Sequence, residues 1–361
     1  MHSAHQMPTR TTATAYWHIG IVIVAIALCP VATRALSTPT MPTSKPSNHN
    51  IVAITHAAGR MGKALALQIR EDAELTRMPR DSLPTIKAIV RSEAEAASVK
   101  CDLGGVTLIG GKVAPIPLDW LETVVVEDVE GDEGRKLLQE AFEGAGAAIL
   151  CDASHNEMVW QNENNDAAIT NQDDREVCSI SVPASENKDL SQRLLAEIEA
   201  ASHSSTLRHV VMRSSMGLFV DASSEAAQAM GGEAALAGPR KAEEALRSTG
   251  LDHTILRLGA LTDDAGMIPL IFGIEDSILE KRMDSTTTRR PPILSRSDAA
   301  RVSTFLLREA LDSSCFKGLT IDCSWHPKYG RSSVGSEEAV NAAGRQDLKR
   351  GIMEGCKVVQ A

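Results

Sequence analysis

Apolar residues along this chain fall into short continuous runs that alternate with longer stretches where they recur every three or four positions. A run of four or five fits a strand buried on both faces, and the wider spacing fits an amphipathic helix. Ile51-Val52-Ala53-Ile54 is the first run, followed by helical spacing from Met61 to Arg70. Residues 86–90 form the next run, ended by Arg91, and an Ala-rich helix follows over 93–99. The pattern then predicts strands over 123–127, 147–151, 208–213, 252–257 and 319–323. Helices are predicted over 134–142, 190–201, 233–247, 298–311 and 337–343. Two stretches interrupt the alternation: the Gly- and Pro-punctuated 104–118, read as a hairpin or loop, and the Asn- and Asp-rich 155–187. Regular strand–helix alternation predicts an α/β fold, a Rossmann-type doubly wound parallel sheet forming a single domain with inserted loops over 51–330, with a tail over 331–361.

In such a sheet ligands lie beyond the carboxyl ends of the strands. The turn Thr55-His56-Ala57-Ala58-Gly59-Arg60-Met61-Gly62 stands at the first of these ends. Unpaired N–H groups at a helix start sit at the positive end of its dipole, so a diphosphate docks there when no side chain blocks it. Gly59 and Gly62 supply that clearance, whereas His56 stands where a full G-x-x-G-x-x-G pattern has its first glycine. At the end of the second strand an acidic residue accepts the ribose hydroxyls of NAD and a basic one accommodates the 2′-phosphate of NADP. Arg91 occupies that place with Ser92 beside it, and Arg60 offers a second cation, so NADP rather than NAD is the expected cofactor.

Charge and composition narrow the partners. The chain of 361 residues carries a formal net charge of -10, and aromatic residues make up 3%. Residues 1–50 contain three basic and no acidic residues, so without them the body stands at -13. An acidic, aromatic-poor body disfavours nucleic acid and anionic membrane, which leaves a nucleotide cofactor and either a small-molecule substrate or a protein partner. The seven cysteines include no C-x-x-C pair and the ten histidines no H-x-x-x-H pair, so no metal site is indicated. Residues 1–35 read as a signal-peptide-like segment with an apolar core at 19–29, and 36–50 as a hydroxylated, Pro-rich, acid-free, transit-like linker. That pairing resembles the bipartite presequence of algae with secondary plastids; a plain secretory signal or a membrane anchor is the alternative.

Four segments carry a family resemblance. They are 55–62; Val211-Met212-Arg213-Ser214-Ser215-Met216-Gly217; Lys241 to Arg257, which includes Leu246-Arg247-Ser248-Thr249-Gly250-Leu251; and Ile293-Leu294-Ser295-Arg296-Ser297-Asp298-Ala299-Ala300. With them the chain resembles an atypical short-chain dehydrogenase/reductase of the NmrA-like, NAD(P)-binding group over most of 51–325. The resemblance implies an adenine end near Arg91 and Asp128, and a nicotinamide end near Ala153, Ser154, Ser214, Arg257 and the loop after it. Reductases of that superfamily use a Tyr as general acid, assisted by a Lys four residues later, with a Ser, here Ser214 or Ser215, polarising the carbonyl. Here the Tyr position reads Ala235 and the Lys position Pro239, with Arg240 and Lys241 following, and Leu258 stands where the family usually has Pro. Losing general acid catalysis raises a barrier by about 3 to 5 kcal/mol. Three readings follow: a reductase in which Lys241, His155, His253 or the substrate itself handles the proton; a non-catalytic, NADP-sensing regulator or plastid assembly factor; or a scaffold that has lost the nucleotide.

Overall fold

The computed structural model describes residues 50–79, 83–109, 112–151, 184–284, 292–313 and 315–357. Strand β1 (Ile51–Ile54) enters the turn at 55–59 and then helix α1 (Arg60–Leu75). Strand β2 (Thr85–Val90) and helix α2 (Glu93–Gly104) repeat the unit, and the interruption at 104–118 is an antiparallel hairpin of β3 (Val106–Ile109) and β4 (Lys112–Pro115). Then come β5 (Leu121–Val125), α3 (Asp132–Phe142) and β6 (Ala147–Leu150). Beyond the polar interruption, most of which lies outside the described residues, stand α4 (Ala184–Ser202), β7 (His209–Ser215), α5 (Glu225–Ala229), α6 (Gly232–Ser248), β8 (His253–Leu258) and β9 (Ala260–Thr262). The chain continues through β10 (Leu270–Gly273), α7 (Ser277–Met283), β11 (Ile293–Ser295), α8 (Arg296–Asp312), β12 (Leu319–Trp325), α9 (Glu337–Gly344) and α10 (Leu348–Lys357).

Eight of these strands form one sheet in the order β10-β12-β8-β7-β6-β1-β2-β5. Its neighbours pair in parallel except β10, which runs antiparallel to β12. Chain order reverses between β1 and β6, which opens a crevice at their carboxyl ends. This is the Rossmann-like, doubly wound α/β fold that the alternation predicts, with Leu270-Ile271-Phe272 adding one antiparallel strand at the edge of the sheet.

Apolar faces on both sides of the sheet bury the helices. Leu65 and Ile69 of α1, Val99 of α2, and Val302 and Leu306 of α8 pack with Ile54, Ile86 and Val211. Leu138 and Phe142 of α3, Leu194 and Ile198 of α4, and Ala242 and Leu246 of α6 pack with Ala53, Ile89, Leu150, Met212 and Ile255 on the other face. Residues beyond 330 join the first of these layers: Ala339 of α9 and Ile352 of α10 are buried in it. Gln346 also closes the open edge of β10, since Leu270 N–H donates to Gln346 Oε1 at 2.9 Å and Gln346 Nε2 donates to the Leu270 carbonyl at 2.6 Å. A side chain that pairs an edge strand's free backbone groups removes a template for strand addition.

The motif at 293–300 organises the carboxyl side of the sheet. Ser295 caps α8 by accepting from the N–H of Asp298 at 3.0 Å. The buried Asp298 carboxylate accepts from Trp325 Nε1 at 2.9 Å, Met267 N–H at 3.1 Å and Arg301 Nη2 at 3.0 Å. A charge with that many donors is a joint between α8, β12 and the loop after β9.

Candidate functional site

Helix α1 begins at Gly59 with no side-chain cap and no acidic residue in its first turn, so its positive end is left for an anion. Gly62 is needed for packing: a Cβ there would stand 2.5 Å from Ala57 Cα and 2.6 Å from the His56 carbonyl. The buried Thr55 hydroxyl accepts from Cys151 N–H at 3.0 Å, and Ala57 N–H donates to the Ile89 carbonyl at 3.2 Å. The turn is thereby tied to the ends of β6 and β2 on either side. Ala58 and Met61 pack against the apolar layer that holds α1, which seats the turn at 55–62 on the core.

His56 adopts φ 49, in the left-handed region, at a cost of roughly 1 kcal/mol. Its ring lies over Gly59, where a Cβ would come within 2.7 Å of His56 Cδ2 and 2.8 Å of Nε2. The residue in the glycine position thus covers the clearance that Gly59 provides. The ring is the mobile end of a side chain, and turning it aside leaves the first turn of α1 open to a diphosphate.

Arg91 stands just past β2, as expected, and Ser92 caps α2 by accepting from Glu95 N–H at 3.2 Å. Glu95, which the sequence reading passed over, holds Arg91: its carboxylate accepts from Arg91 Nε and from the Arg91 backbone N–H, each at 2.8 Å. Burial pushes the Glu95 carboxyl up, but the hydrogen bonds and charge of Arg91, with His56 adding, hold it below the usual carboxylate range. Arg60 departs from expectation. Instead of joining Arg91 it pairs with Asp263 beyond β9, and the other oxygen of Asp263 binds Arg296 Nη1 at 2.5 Å. The start of α1 is therefore tied to the start of α8. Asp128 accepts from the N–H groups of Glu130 at 2.8 Å and Gly131 at 3.2 Å, so its carboxylate shapes the loop entering α3.

At the other end of the crevice the expected residues separate. Ser214 and Arg257 are neighbours in register on β7 and β8, on the face that α6 covers. Arg257, expected beside the nicotinamide, is corrected to a buried structural cation. It is 1% exposed and its Nε and Nη2 donate to the Glu243 carboxylate of α6 at 2.8 and 2.5 Å. Its guanidinium also lies 4.3 Å from the centre of the Phe219 ring. Burial pushes Glu243 up, and Arg257, Ser214 and Arg247 pull it below its ordinary value. Asp322, next to Arg257 on β12, is pushed up to about 7 by burial and by Asp276, which itself accepts from the N–H groups of Gly217 at 2.8 Å and Phe219 at 2.6 Å.

Ser215 donates its hydroxyl to the Met216 carbonyl at 3.0 Å. Lys241, a candidate to handle the proton, is exposed and lies two residues before Glu243, about 200° round the helix from it. Ala235 and Pro239 occupy the positions of the missing pair within α6, Pro239 buried. His253 bonds the Leu251 carbonyl through Nδ1 at 2.7 Å at the amino end of β8, the wrong end for the crevice. Ala153, Ser154 and His155 lie outside the described residues. Glu95, Asp263, Glu243 and Asp322 are the residues that sequence reasoning missed. Only Glu95 had a local signal, the Ser-x-x-Glu spacing from Ser92.

The NAD(P)H-binding family model matches residues 122–305, just over half of the chain. Among solved structures, a short-chain dehydrogenase/reductase of Veillonella parvula in complex with NADP is similar at 15% identity, covering 77% of this chain and 95% of that one, with a TM-score of 0.48. ChuY, an anaerobillin reductase from Escherichia coli O157:H7, is similar at 14% identity, covering 78% and 98%, with a TM-score of 0.44. The oxidoreductase YlbE from Lactococcus lactis is similar at 14% identity over 76% and 91%, with a TM-score of 0.44. A search of curated proteins returned no match.

Proposed function

The chain belongs to the NAD(P)H-binding family, and on that premise we propose that it is an NADP(H)-preferring reductase of a small enone or related carbonyl compound. The observation that carries this reading is the uncapped start of α1 over Gly59 and Gly62, with Arg91 at the end of the neighbouring strand β2. The first turn of α1 would hold the diphosphate, and Arg91 the 2′-phosphate once it leaves Glu95. Changing Arg91 to Glu is expected to weaken NADP(H) on the order of a hundredfold while NAD(H) changes little. Calorimetric titration with the four nucleotides checks this, and equal losses would remove the 2′-phosphate assignment.

When bound, such a cofactor supplies a hydride. An isolated carbonyl that receives one becomes an alkoxide, which needs an acid beside it at once. The helix that would carry the tyrosine presents Ala235 and Pro239 instead. Hydride addition to the β-carbon of an enone shifts the C=C pair into a double bond between the α-carbon and the carbonyl carbon and the C=O π pair onto oxygen; the resulting enolate is a much weaker base than an alkoxide and takes a proton at its α-carbon from water. The missing acid therefore supports enones over aldehydes. The test is loss of NADPH absorbance with a panel of enones, quinones and aldehydes; turnover is expected with the first two groups. No consumption above buffer would leave the second reading, a non-catalytic NADP-sensing regulator or plastid assembly factor, which the same Ala235 and Pro239 favour.

Delivery to a plastid is part of the proposal, supported by the apolar core at 19–29 followed by the acid-free, Pro-rich 36–50. Imaging of the full chain fused to a fluorescent protein tests it; secretion would favour the plain signal. Among the described residues no helix is long and apolar enough to cross a membrane.

A further inference from the structure

At the end of β2 a single carboxylate collects the donors of a single arginine. Glu95 Oε1 accepts from Arg91 Nε at 2.8 Å and Nη2 at 2.6 Å, and Oε2 accepts from the Arg91 backbone N–H at 2.8 Å. A main-chain N–H and a guanidinium converging on two oxygens are the same donors that a 2′-phosphate would take from this strand end. Glu95 is no solvated side chain sampling many positions. Its carboxylate side chain is 20% exposed, and its own N–H is fixed by the Ser92 hydroxyl at 3.2 Å. The residue is also the N3 glutamate of a Ser-x-x-Glu capping pair, but it reaches past the cap residue to the N–H of Arg91, the preceding position. Helix capping alone would call for the N–H of Ser92.

We infer that Glu95 is a specificity-determining residue of the ribose subsite: it occupies the anion position at the end of β2, accepts the ribose hydroxyls of NAD, and must be displaced by the 2′-phosphate of NADP. The inference rests on the reading that the 55–62 cradle holds a dinucleotide. It gives the strand end two readers of opposite sign. Arg91 favours the phosphate, Glu95 favours the diol, and their mutual pairing narrows the discrimination that Arg91 would exercise alone. A carboxylate that neutralises the arginine in the free protein also lowers the affinity for NADP, since each phosphate–arginine bond formed replaces an existing ion pair.

Glu95→Gln tests this, because an amide keeps an oxygen for the Arg91 N–H and so keeps the turn, while removing the charge. The full chain, Glu95→Gln and Glu93→Gln are titrated calorimetrically with NADP and NAD in parallel. Glu93 is an exposed acid in the same first turn and controls for loss of charge without loss of place. The expected result is NADP binding about tenfold tighter in Glu95→Gln, NAD binding a few-fold weaker, and both unchanged in Glu93→Gln. An NADP-to-NAD ratio within about twofold of the parent, or an equal rise in Glu93→Gln, overturns the inference. If the amide variant fails to fold, Glu95→Asp shortens the reach to Arg91 and is expected to shift the ratio in the same direction; no shift overturns it as well. A parent that binds neither nucleotide sinks the dinucleotide reading itself, an outcome distinct from an unmoved ratio.

Discussion

Changing Glu243 to Ala is expected to destabilise the fold by roughly 3 to 5 kcal/mol, because it strands a buried cation. Arg257 is 1% exposed and directs two of its nitrogens at that carboxylate. Asp276 and Asp322 also raise the arginine's affinity for its proton, so some compensation remains after the change. Arg247 reaches the same carboxylate at 2.8 Å from a side chain 42% exposed, so Arg247→Ala is expected to cost under about 1 kcal/mol. Denaturant titration of both variants separates the two contributions. Similar midpoints would mean that the buried pair holds nothing that the surface pair does not. A second consequence reaches the crevice: Phe219 rests on the Arg257 guanidinium, and its N–H is held by Asp276, so losing Glu243 loosens the segment that follows β7.

Why some of this was legible in the amino-acid order and some was not follows from the range of each interaction. Residues 51–62 announce a strand, turn and helix because each element is fixed within a dozen positions by apolar runs and glycines. Arg91 could be placed for the same reason, since it ends a run of apolar residues. The return of Glu95 to Arg91 is equally local, and its Ser-x-x-Glu spacing is visible, but its direction depends on the backbone path around Ser92. Glu243 and Arg257 are fourteen positions apart on a helix and a strand, and meet only once α6 is laid on the sheet. Arg60 and Asp263 are farther apart still, 203 positions, with nothing local to pair them. The short strands β9 and β11, three residues each, carry too few residues to show a period at all. His56 is the opposite case. The missing glycine was plain in the sequence, but whether the imidazole pointed away from the cradle or across it required the left-handed backbone at φ 49 that aims it over Gly59.

Gly62→Ala is expected to lose both stability and nucleotide binding, and Gly59→Ala only the second. At Gly62 the new Cβ would meet Ala57 Cα at 2.5 Å, the His56 carbonyl oxygen at 2.6 Å and the Ala57 carbonyl carbon at 2.8 Å, all backbone. No rotamer relieves such a clash, so α1 must lift from the turn, at about 1 to 3 kcal/mol by the usual cost of overpacking. Lifting α1 also draws its N–H groups away from the diphosphate, so binding should fall at least about tenfold. At Gly59 the closest atoms are the His56 ring at 2.7 and 2.8 Å, which can swing aside, with the His56 carbonyl at 3.3 Å. The fold therefore tolerates that methyl, but the methyl itself stands where the phosphate must come. Thermal melting and calorimetric titration with NADP, run on both variants, read the two effects independently. If Gly62→Ala melts with the parent and binds as well, the close seat of α1 on the turn is not what forms the cradle; if Gly59→Ala binds as well as the parent, the diphosphate does not pass over Gly59.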